Sequence, residues 1–389
     1  MRLMHLADLH IGKRVNGFQL LEDQEHILEQ AIEVADDKSV DAVVIAGDVY
    51  DRPLPPVQAV QAVDRFLTKL VEMKIPVLMI GGNHDSVGRL AFLSEISARE
   101  GLHIAKPYSG QVEKVVLEDE HGDVVFHLLP FITPSDVRRF FPDAKISTYD
   151  EAMREVMAAD VLEPGTRNVL VAHQLVLGGS EVIRSDSEQV SIGGLDQISA
   201  DVFEGFDYVA LGHLHAPQWV VPGKVRYAGS PLKYSFSEVN QKKSISIVSI
   251  DAQGETSVEE VPFEPLHGMI EVEGTLENMR ELVGENPDMR NDYVRAILTE
   301  PQSNARAKLE DLFPLLMRIE FKYQGVSEPL APDFNASVAK LSPTEVFADL
   351  FEKINGRPMN RDEEDCINDV AEVVEASRRE SAGEAGDGE

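Results

Sequence analysis

Five short polar clusters, each just past the end of a short apolar run, constrain this chain more than any other feature of its sequence. Asp8-Leu9-His10 follows Leu3–Ala7, Gly47-Asp48-Val49-Tyr50-Asp51 follows Ala42–Ala46, and Gly82-Asn83-His84-Asp85 follows Val77–Ile80. His173 follows Val169–Ala172, and Gly212-His213-Leu214-His215 follows Tyr208–Leu211. In α/β sheets, ligands gather where loops leave the carboxyl ends of strands. Five such loops carrying metal-ligand side chains point to one shared site.

Amphipathic stretches separate the apolar runs. A polar helical pattern surrounds Leu20–Ala35, and Val57–Lys74 sets Val60, Val63, Leu67 and Leu70 at helical spacing; Leu90–Arg99 is again helix-like. Short β-branched runs alternating with such stretches mark an α/β architecture. Past residue 100 the runs come closer together, as Val112–Leu117 and Val124–Leu129. A further group holds Val169–Ala172, Tyr208–Leu211, Val225–Ala228 and Ile245–Ile250. Two apolar sets predict two sheets packed as a β-sandwich flanked by helices.

Pro262, Pro265 and Gly268 place a boundary near residue 265, so the first domain is read as 1–265. Residues 266–335 read as a small α/β capping domain, with strand-like Met269–Val272 and Val294–Leu298, a helix around Ala305–Phe313, and Leu316–Phe321. Residues 341–376 read as a helical tail. Ser342-Pro343-Thr344-Glu345 is a capped helix start, and the pattern repeats from Asn360 to Glu363. Residues 377–389, rich in Gly, Ala and Glu, are predicted to be disordered.

The ligand types narrow the metal. Carboxylates, one amide and several imidazoles, with no thiolate, suit Mn, Fe, Zn or Mg rather than copper(I) or an iron–sulfur cluster. The set is too large for one tetrahedral zinc, which points to two ions, with Asp48 able to bridge them through its two oxygens. Two divalent ions bring +4 and Asp8 with Asp48 bring −2, so an anionic phosphodiester can bind there. Ions roughly 3.5–4 Å apart can activate water and clamp the oxygens of an in-line displacement. Glycines at 47, 82 and 212 are read as places where the backbone turns sharply.

Taken singly, most clusters have a plainer explanation. Asp-x-His alone is more often an N-cap beside a surface histidine, and Gly-Asp-x-x-Asp more often a turn before a helix. Gly-His-Leu-His is stronger, because alternate strand residues face the same way. The weight lies in all five together, in order, each at a strand end. His5, His26, His103, His121, His127 and His267 lack partners at ligand spacing and are read as core or surface residues.

Composition bounds the function further. The net charge of −32 argues against a coat-type nucleic-acid binder, whose affinity comes from a basic surface. It does not exclude an enzyme that grips phosphates through divalent ions. Lys13, Arg14, Arg52, Arg89, Arg184 and Lys233 lie near the motif loops and are candidate phosphate contacts. Cys366 is the single cysteine, so no internal disulfide and no cysteine zinc site is expected. No signal-peptide core and no apolar run near the ~20 residues of a membrane span is found, which predicts a soluble, cytoplasmic protein.

The order Asp8-x-His10, Gly47-Asp48-x-x-Asp51, Gly82-Asn83-His84-Asp85, His173 and Gly212-His213-x-His215 resembles the calcineurin-like metallophosphoesterases over about residues 1–230. Longer strings narrow the likeness: Met4–Gly12, Gly47–Arg52, Phe206–His215, Tyr227–Ser235 and Pro265–Gly268 are similar to the D subunits of bacterial SbcCD nucleases. This resemblance implies that Asp8, His10 and His215 hold one ion, that Asn83, His173 and His213 hold the other, and that Asp48 bridges them. It implies His84 as the catalytic residue that stabilises or protonates the leaving oxygen, Asp51 and Asp85 as residues orienting ligands, and Mn²⁺ as the metal. It further implies 3′→5′ exonuclease and hairpin-opening endonuclease activity on double-stranded DNA, and an SbcC-type ATPase partner bound through the C-terminal helices. A homodimer within a heterotetramer is implied as well, joined through Leu90–Ile96 and Val57–Phe66. The competing readings are another dinuclear metallophosphoesterase, acting on a small phosphodiester or a phosphoprotein, and a scaffold that has lost its chemistry. The complete ligand set and His84 argue against the second.

Overall fold

The computed structural model describes residues 1–162, 164–178, 182–188 and 196–322, with 344, 348, 351, 357–361, 364 and 367 beyond them. Two six-stranded sheets carry the fold. The first runs Thr256–Pro262, Ser244–Ile250, Arg2–Leu6, Ala42–Ala46, Val77–Ile80 and Leu102–Ile104; the last four are parallel and the first two antiparallel. The second runs Gln218–Val221, Val225–Tyr227, Tyr208–Gly212, Arg167–His173, Gly122–Leu129 and Glu113–Asp119, with the middle four parallel.

Side chains alternate along each central strand, and both faces are covered. Leu3, Val44 and Leu78 meet Phe126, Val171 and Tyr208 between the sheets. Met4, Val43 and Met79 turn outward onto Ile27, Phe66 and Leu70 of the helices Leu21–Asp37 and Val57–Glu72. On the far side, Leu170, Val209 and Leu211 meet Met153 and Val156 of the helix Tyr149–Ala159. Burial on both faces is why these strands read as unbroken apolar runs. Each fully buried Val or Leu contributes about 1.5–3 kcal/mol. The predicted α/β sandwich is therefore the observed one.

Three local expectations change. Ile245–Ile250, grouped by sequence with the strands of the second sheet, belongs to the first, because Ser244–Ile250 pairs antiparallel with Arg2–Leu6. Leu90–Arg99 is no single helix. It breaks into Val87–Leu90 and Ser94–Ser97, with Leu93 in the left-handed region at φ 63° between them. Its apolar residues Phe92, Leu93 and Ile96 are exposed rather than core. A helix unmarked in the sequence, Leu276–Glu285, starts at a Thr275–Asn278 capping box and buries Leu276, Met279 and Val283.

A separate three-stranded sheet orders Met269–Gly274, Tyr293–Leu298 and Leu316–Phe321 around its own core of Val272, Met279, Val294 and Leu309. Contacts place Met1–Leu298 and Gln302–Glu320 in one compact unit. Asp23, buried on the helix Leu21–Asp37, ties this sheet to the sandwich. It accepts from the His267 backbone N–H (3.0 Å) and ring Nδ1 (3.1 Å), and from the Tyr293 hydroxyl (2.8 Å). The helical tail read over 341–376 lies outside the described residues, apart from 344, 348, 351, 357–361, 364 and 367, as does the end 377–389. No helix among the described residues is long and apolar enough to cross a membrane.

Candidate metal centre

All five clusters meet at one edge of the sandwich. The loop after Arg2–Leu6 lies against the loop after Ala42–Ala46, held by Asp8 N–H to Gly47 carbonyl (3.1 Å) and His10 N–H to Asp48 carbonyl (2.9 Å). Asp8, His10 and Asp48 all sit in left-handed backbone, at φ 52°, 45° and 49°. That conformation costs a non-glycine residue roughly 1–3 kcal/mol and concentrates at functional sites. It turns the three side chains inward, where all are buried. His173 ends the strand Arg167–His173 and pairs in register with Gly212 of the neighbouring strand.

The glycines act by more than one means. Gly47 does adopt positive φ, at 86°. Gly82 and Gly212 do not; they are glycine because a Cβ at Gly82 would run into Asp48, and one at Gly212 into the Ala46 carbonyl and the His173 ring.

Asp8, His10 and His215 present one ligand atom each within 4.8 Å of one another, as do Asp8, Asp48 and His173, and also His10, Asp48 and His84. The Asn83 amide oxygen lies 2.9 Å from His173 Nε2 and 3.2 Å from His213 Nδ1. His213, at φ 110°, lies past the strand end, so the two histidines of Gly-His-Leu-His do not share one target. His213 reaches Asn83, whereas His215 Nε2 reaches His10 Nε2 at 3.2 Å. Asp85 is tied up by the backbone N–H groups of Val49, Tyr50 and Gly82, each at 3.0 Å. Asp51 accepts from Lys13 at 2.7 Å and lies 3.9 Å from His10 Nδ1. His84 donates its backbone N–H to Asp48 (2.8 Å) and its Nδ1–H to the Asp51 carbonyl (2.9 Å). Asn83, His84 and Asp85 are half-buried while Asp8, His10, Asp48, His173, His213 and His215 are buried, so the three form the accessible wall.

The donor set fits two cations on its own chemistry. His173 donates Nδ1–H to the Ala46 carbonyl (2.8 Å), which leaves its Nε2 lone pair facing Asn83 Oδ1, Asp48 Oδ2 (3.3 Å) and Asp8 Oδ1 (4.0 Å). A bare lone pair among three oxygens is repelled, so Nε2 there carries either a proton or a metal cation. Burial alone would lower the pKa of His173, yet the Asp48 and Asp8 carboxylates outweigh it and push it up to about 9. Burial raises Asp8 well above the usual carboxylate range, aided by the charge of Asp48. Burial opposes ionisation of Asp48 too, but the imidazoles of His173, His10 and His84 hold it well below that range. Burial keeps His10 and His215 neutral, and lowers His213 to about 3, which is the ligand form. His10 Nδ1 has no hydrogen-bond partner among the described residues.

Sequence reasoning missed the support behind His215. Its Nδ1 lies 2.7 Å from Ser187 Oγ, whose hydroxyl donates to Glu238 at 2.5 Å, so His215 gives its Nδ1–H to Ser187 and turns a bare Nε2 to the centre. Glu238, fully buried, also takes Lys243 Nζ at 2.6 Å, and Lys243 donates to the His215 carbonyl at 2.8 Å. Glu188 accepts from the His215 N–H at 2.8 Å, and burial pushes its carboxyl up to about 7. The signal was slight: Glu238 and Lys243 stand 23 and 28 positions from His215, in no ligand spacing. On the opposite flank, Gln24 donates to the Leu9 and His10 carbonyls and to the Tyr234 hydroxyl. Of the cationic candidates, Lys13 is taken by Asp51 and Lys233 donates to the Val239 carbonyl (2.6 Å), while Arg52 and Arg89 are exposed.

A parallel-centred sandwich with carboxylates and imidazoles at its strand ends defines the class, and residues 1–217 match the family of calcineurin-like phosphoesterases. Residues 265–355 match a family described as the type 5 capsule protein repressor C-terminal domain. The chain is 35% identical over 327 residues to a Staphylococcus epidermidis protein named as the D subunit of the SbcCD nuclease, covering 82% of this chain and 85% of that one. It is 37% identical over 282 residues to the protein of the same name from Staphylococcus saprophyticus, covering 72% and 73%. A solved structure of the Thermus thermophilus protein TT1561 is similar at 12% identity and a TM-score of 0.36, over 67% of this chain and 98% of that one, too distant to carry an argument. The chain belongs to the calcineurin-like phosphoesterases and, within them, to the family of the SbcCD nuclease D subunits. It is a metal-dependent phosphodiester hydrolase with a site for two divalent ions.

Proposed function

We propose that this chain is a double-stranded DNA nuclease, with 3′→5′ exonuclease and hairpin- and end-opening endonuclease activity. It would act in the cytoplasm with an SMC-like ATPase partner in DNA repair and recombination. The observation that carries this reading is a complete inward-facing ligand set in a chain at least 35% identical, over most of its length, to relatives named as nuclease subunits. Asp8, His10 and His215 would hold one ion, Asn83, His173 and His213 the other, with Asp48 between them and Mn²⁺ as the metal. When bound, the ions supply Lewis-acid activation of water and neutralise charge on the phosphoryl oxygens.

The side chains do the remaining work. His84 lies on the accessible wall with Nδ1–H fixed to the Asp51 carbonyl, so Nε2 is the ring atom left to meet substrate. A protonated Nε2 there can stabilise the leaving oxygen and donate its proton to it. Asp85 fixes the Asn83–His84 loop against the Asp48 loop, and Asp51 fixes Lys13 and the His84 ring. Residues 1–265 would form the catalytic domain and 266–335 a cap on it. The segment 341–376, read from the sequence as helical, would bind the ATPase, as an apolar helix face binds a groove. The exposed residues Val57, Val60, Phe92, Leu93 and Ile96 would supply the contact of a homodimer within the heterotetramer.

The test is hydrolysis of end-labelled duplex DNA with Mn²⁺ by wild type and His84→Ala, with a cyclic nucleotide and a phosphopeptide in parallel. Duplex cleavage that is lost in His84→Ala while metal binding persists is the expected result. Turnover of the small substrates alone would move the reading to another phosphoesterase.

A further inference from the structure

A cavity of about 230 Å³ opens at the same rim as the metal centre, walled by Pro107, Tyr108, Phe131 and Phe140. Its position follows from strand register. Leu129 pairs with Ala172, so the chain leaving that strand brings Phe131 out beside His173, with ring centroids 6.4 Å apart and planes at 76°. The Phe131 N–H donates to the Gly81 carbonyl (2.9 Å), immediately before Gly82-Asn83. The half-buried ring is thereby pinned between the two loops that carry Asn83 and His173. Val87 and the Pro107–Tyr108 segment close the cavity, and both lie past the carboxyl ends of strands of the first sheet.

The lining selects the occupant. It is apolar and aromatic, and Tyr108 meets Phe140 edge-on at 5.5 Å. The carboxylate of Asp136 is already committed to the Thr133 backbone N–H (2.9 Å) and hydroxyl (2.7 Å). Arg139 stands exposed at the lip. A volume below the roughly 300–1,000 Å³ of drug-sized ligand sites has room for one flat ring system. A neutral planar ring attached to an anionic group, with the anion at the centre a few ångströms away, is the chemistry of a nucleotide. We infer that this cavity receives a nucleobase next to the phosphate being cleaved, with Phe131 as its stacking face and Arg139 toward a flanking phosphate. The inference rests on the DNA reading above. Stacking on an aromatic face serves every base, so this contact holds the strand without reading its sequence.

The experiment is steady-state cleavage of duplexes in which one abasic nucleotide is walked across the cleavage position, with Mn²⁺, by wild type, Phe131→Ala and Phe131→Tyr. In wild type, one abasic position raises KM about tenfold, the usual scale of one lost base–aromatic stack. Phe131→Ala shows that rise on intact DNA and no further penalty at the same position, Phe131→Tyr restores wild-type behaviour, and Mn²⁺ binding is unchanged in both. If Phe131→Ala does not fold, Phe131→Leu, which keeps bulk but no π face, takes its place. A wild-type KM in the alanine or leucine variant, or undiminished sensitivity to the missing base, overturns the inference and leaves the nuclease reading intact. Wild type that hydrolyses a small phosphodiester but no DNA overturns both.

Discussion

The two sheets contribute to the candidate metal centre in different ways. The first supplies every carboxylate and the amide, Asp8, Asp48 and Asn83, and it sets Asp8, His10 and Asp48 by left-handed backbone in loops that brace each other. The second supplies imidazoles only, His173, His213 and His215, from at or just past the strand ends. Each is steered by a partner elsewhere: His173 by the Ala46 carbonyl, the His213 backbone by Asp8, and His215 by Ser187 and Glu238. The first half relies mainly on left-handed backbone and the second mainly on hydrogen bonds, with His213 at φ 110° the one strained position of the second. Neither sheet alone makes a site, so the chemistry depends on how the two are packed.

Removing the group that stands nearest both halves has the largest expected effect. Asp48→Ala should lower phosphodiester hydrolysis by at least about 10²–10³-fold, the scale for losing a principal electrostatic group. Kinetics on a small diester with Mn²⁺ check it, and near-normal turnover would mean that the halves function separately. Weakening the hydrogen-bonded half comes next. Glu238→Gln, which keeps the shape of a buried side chain, should reduce metal affinity about 10–100-fold by loosening the tether behind His215. Calorimetric Mn²⁺ titration reads this, and unchanged affinity would show that Ser187 alone suffices.

The seam itself is probed by Gly212→Ala, which forces a methyl against Ala46, His173 and Ala7. About 1–3 kcal/mol of destabilisation is expected in urea unfolding, as for other overpacked sites; no change would mean the sheets can part without cost. The effect that vanishes at neutral pH concerns His5 of the first sheet, which meets the Tyr208 hydroxyl of the second at 3.0 Å. Burial, helped by the charge of Arg226, lowers its pKa from 6.5 to about 3. The unfolded chain therefore takes up a proton that the folded chain refuses. Stability from this residue is complete above pH 6.5 and falls toward pH 3, by up to about 1.4 kcal/mol per pH unit. Comparing the acid limb of wild type and His5→Gln isolates it, and identical limbs would remove His5 as the cause.

This division also explains what the sequence disclosed. The left-handed half is written in contiguous strings, since Asp8-x-His10 and Gly47-Asp48 carry ligand and turn together. The hydrogen-bonded half is not. His173 gains meaning only from its strand neighbour, and Glu238 and Lys243 become relevant only when Ser244–Ile250 crosses to the first sheet and its preceding loop swings under His215. That crossing is hidden because both faces of Ser244–Ile250 are buried, Ser244 and Ser246 included, so polarity does not say which sheet it joins. Leu90–Arg99 misled for the converse reason: Phe92, Leu93 and Ile96 keep a helical pattern but face solvent, and Leu93 interrupts the turn. Lys13 stands by a motif loop in sequence, but its ammonium neutralises Asp51.

One turn of the helix Leu21–Asp37 bears on all of this. Asp23 holds the three-stranded sheet through His267 and Tyr293, while the adjacent Gln24 grips the Leu9 and His10 carbonyls. Two consecutive residues thus serve as a common datum for the outlying sheet and for the loop that carries Asp8 and His10. A displacement of that turn by a few tenths of an ångström would be transmitted to both at once, so the position of the outlying sheet and the aim of the His10 ring are mechanically geared to each other.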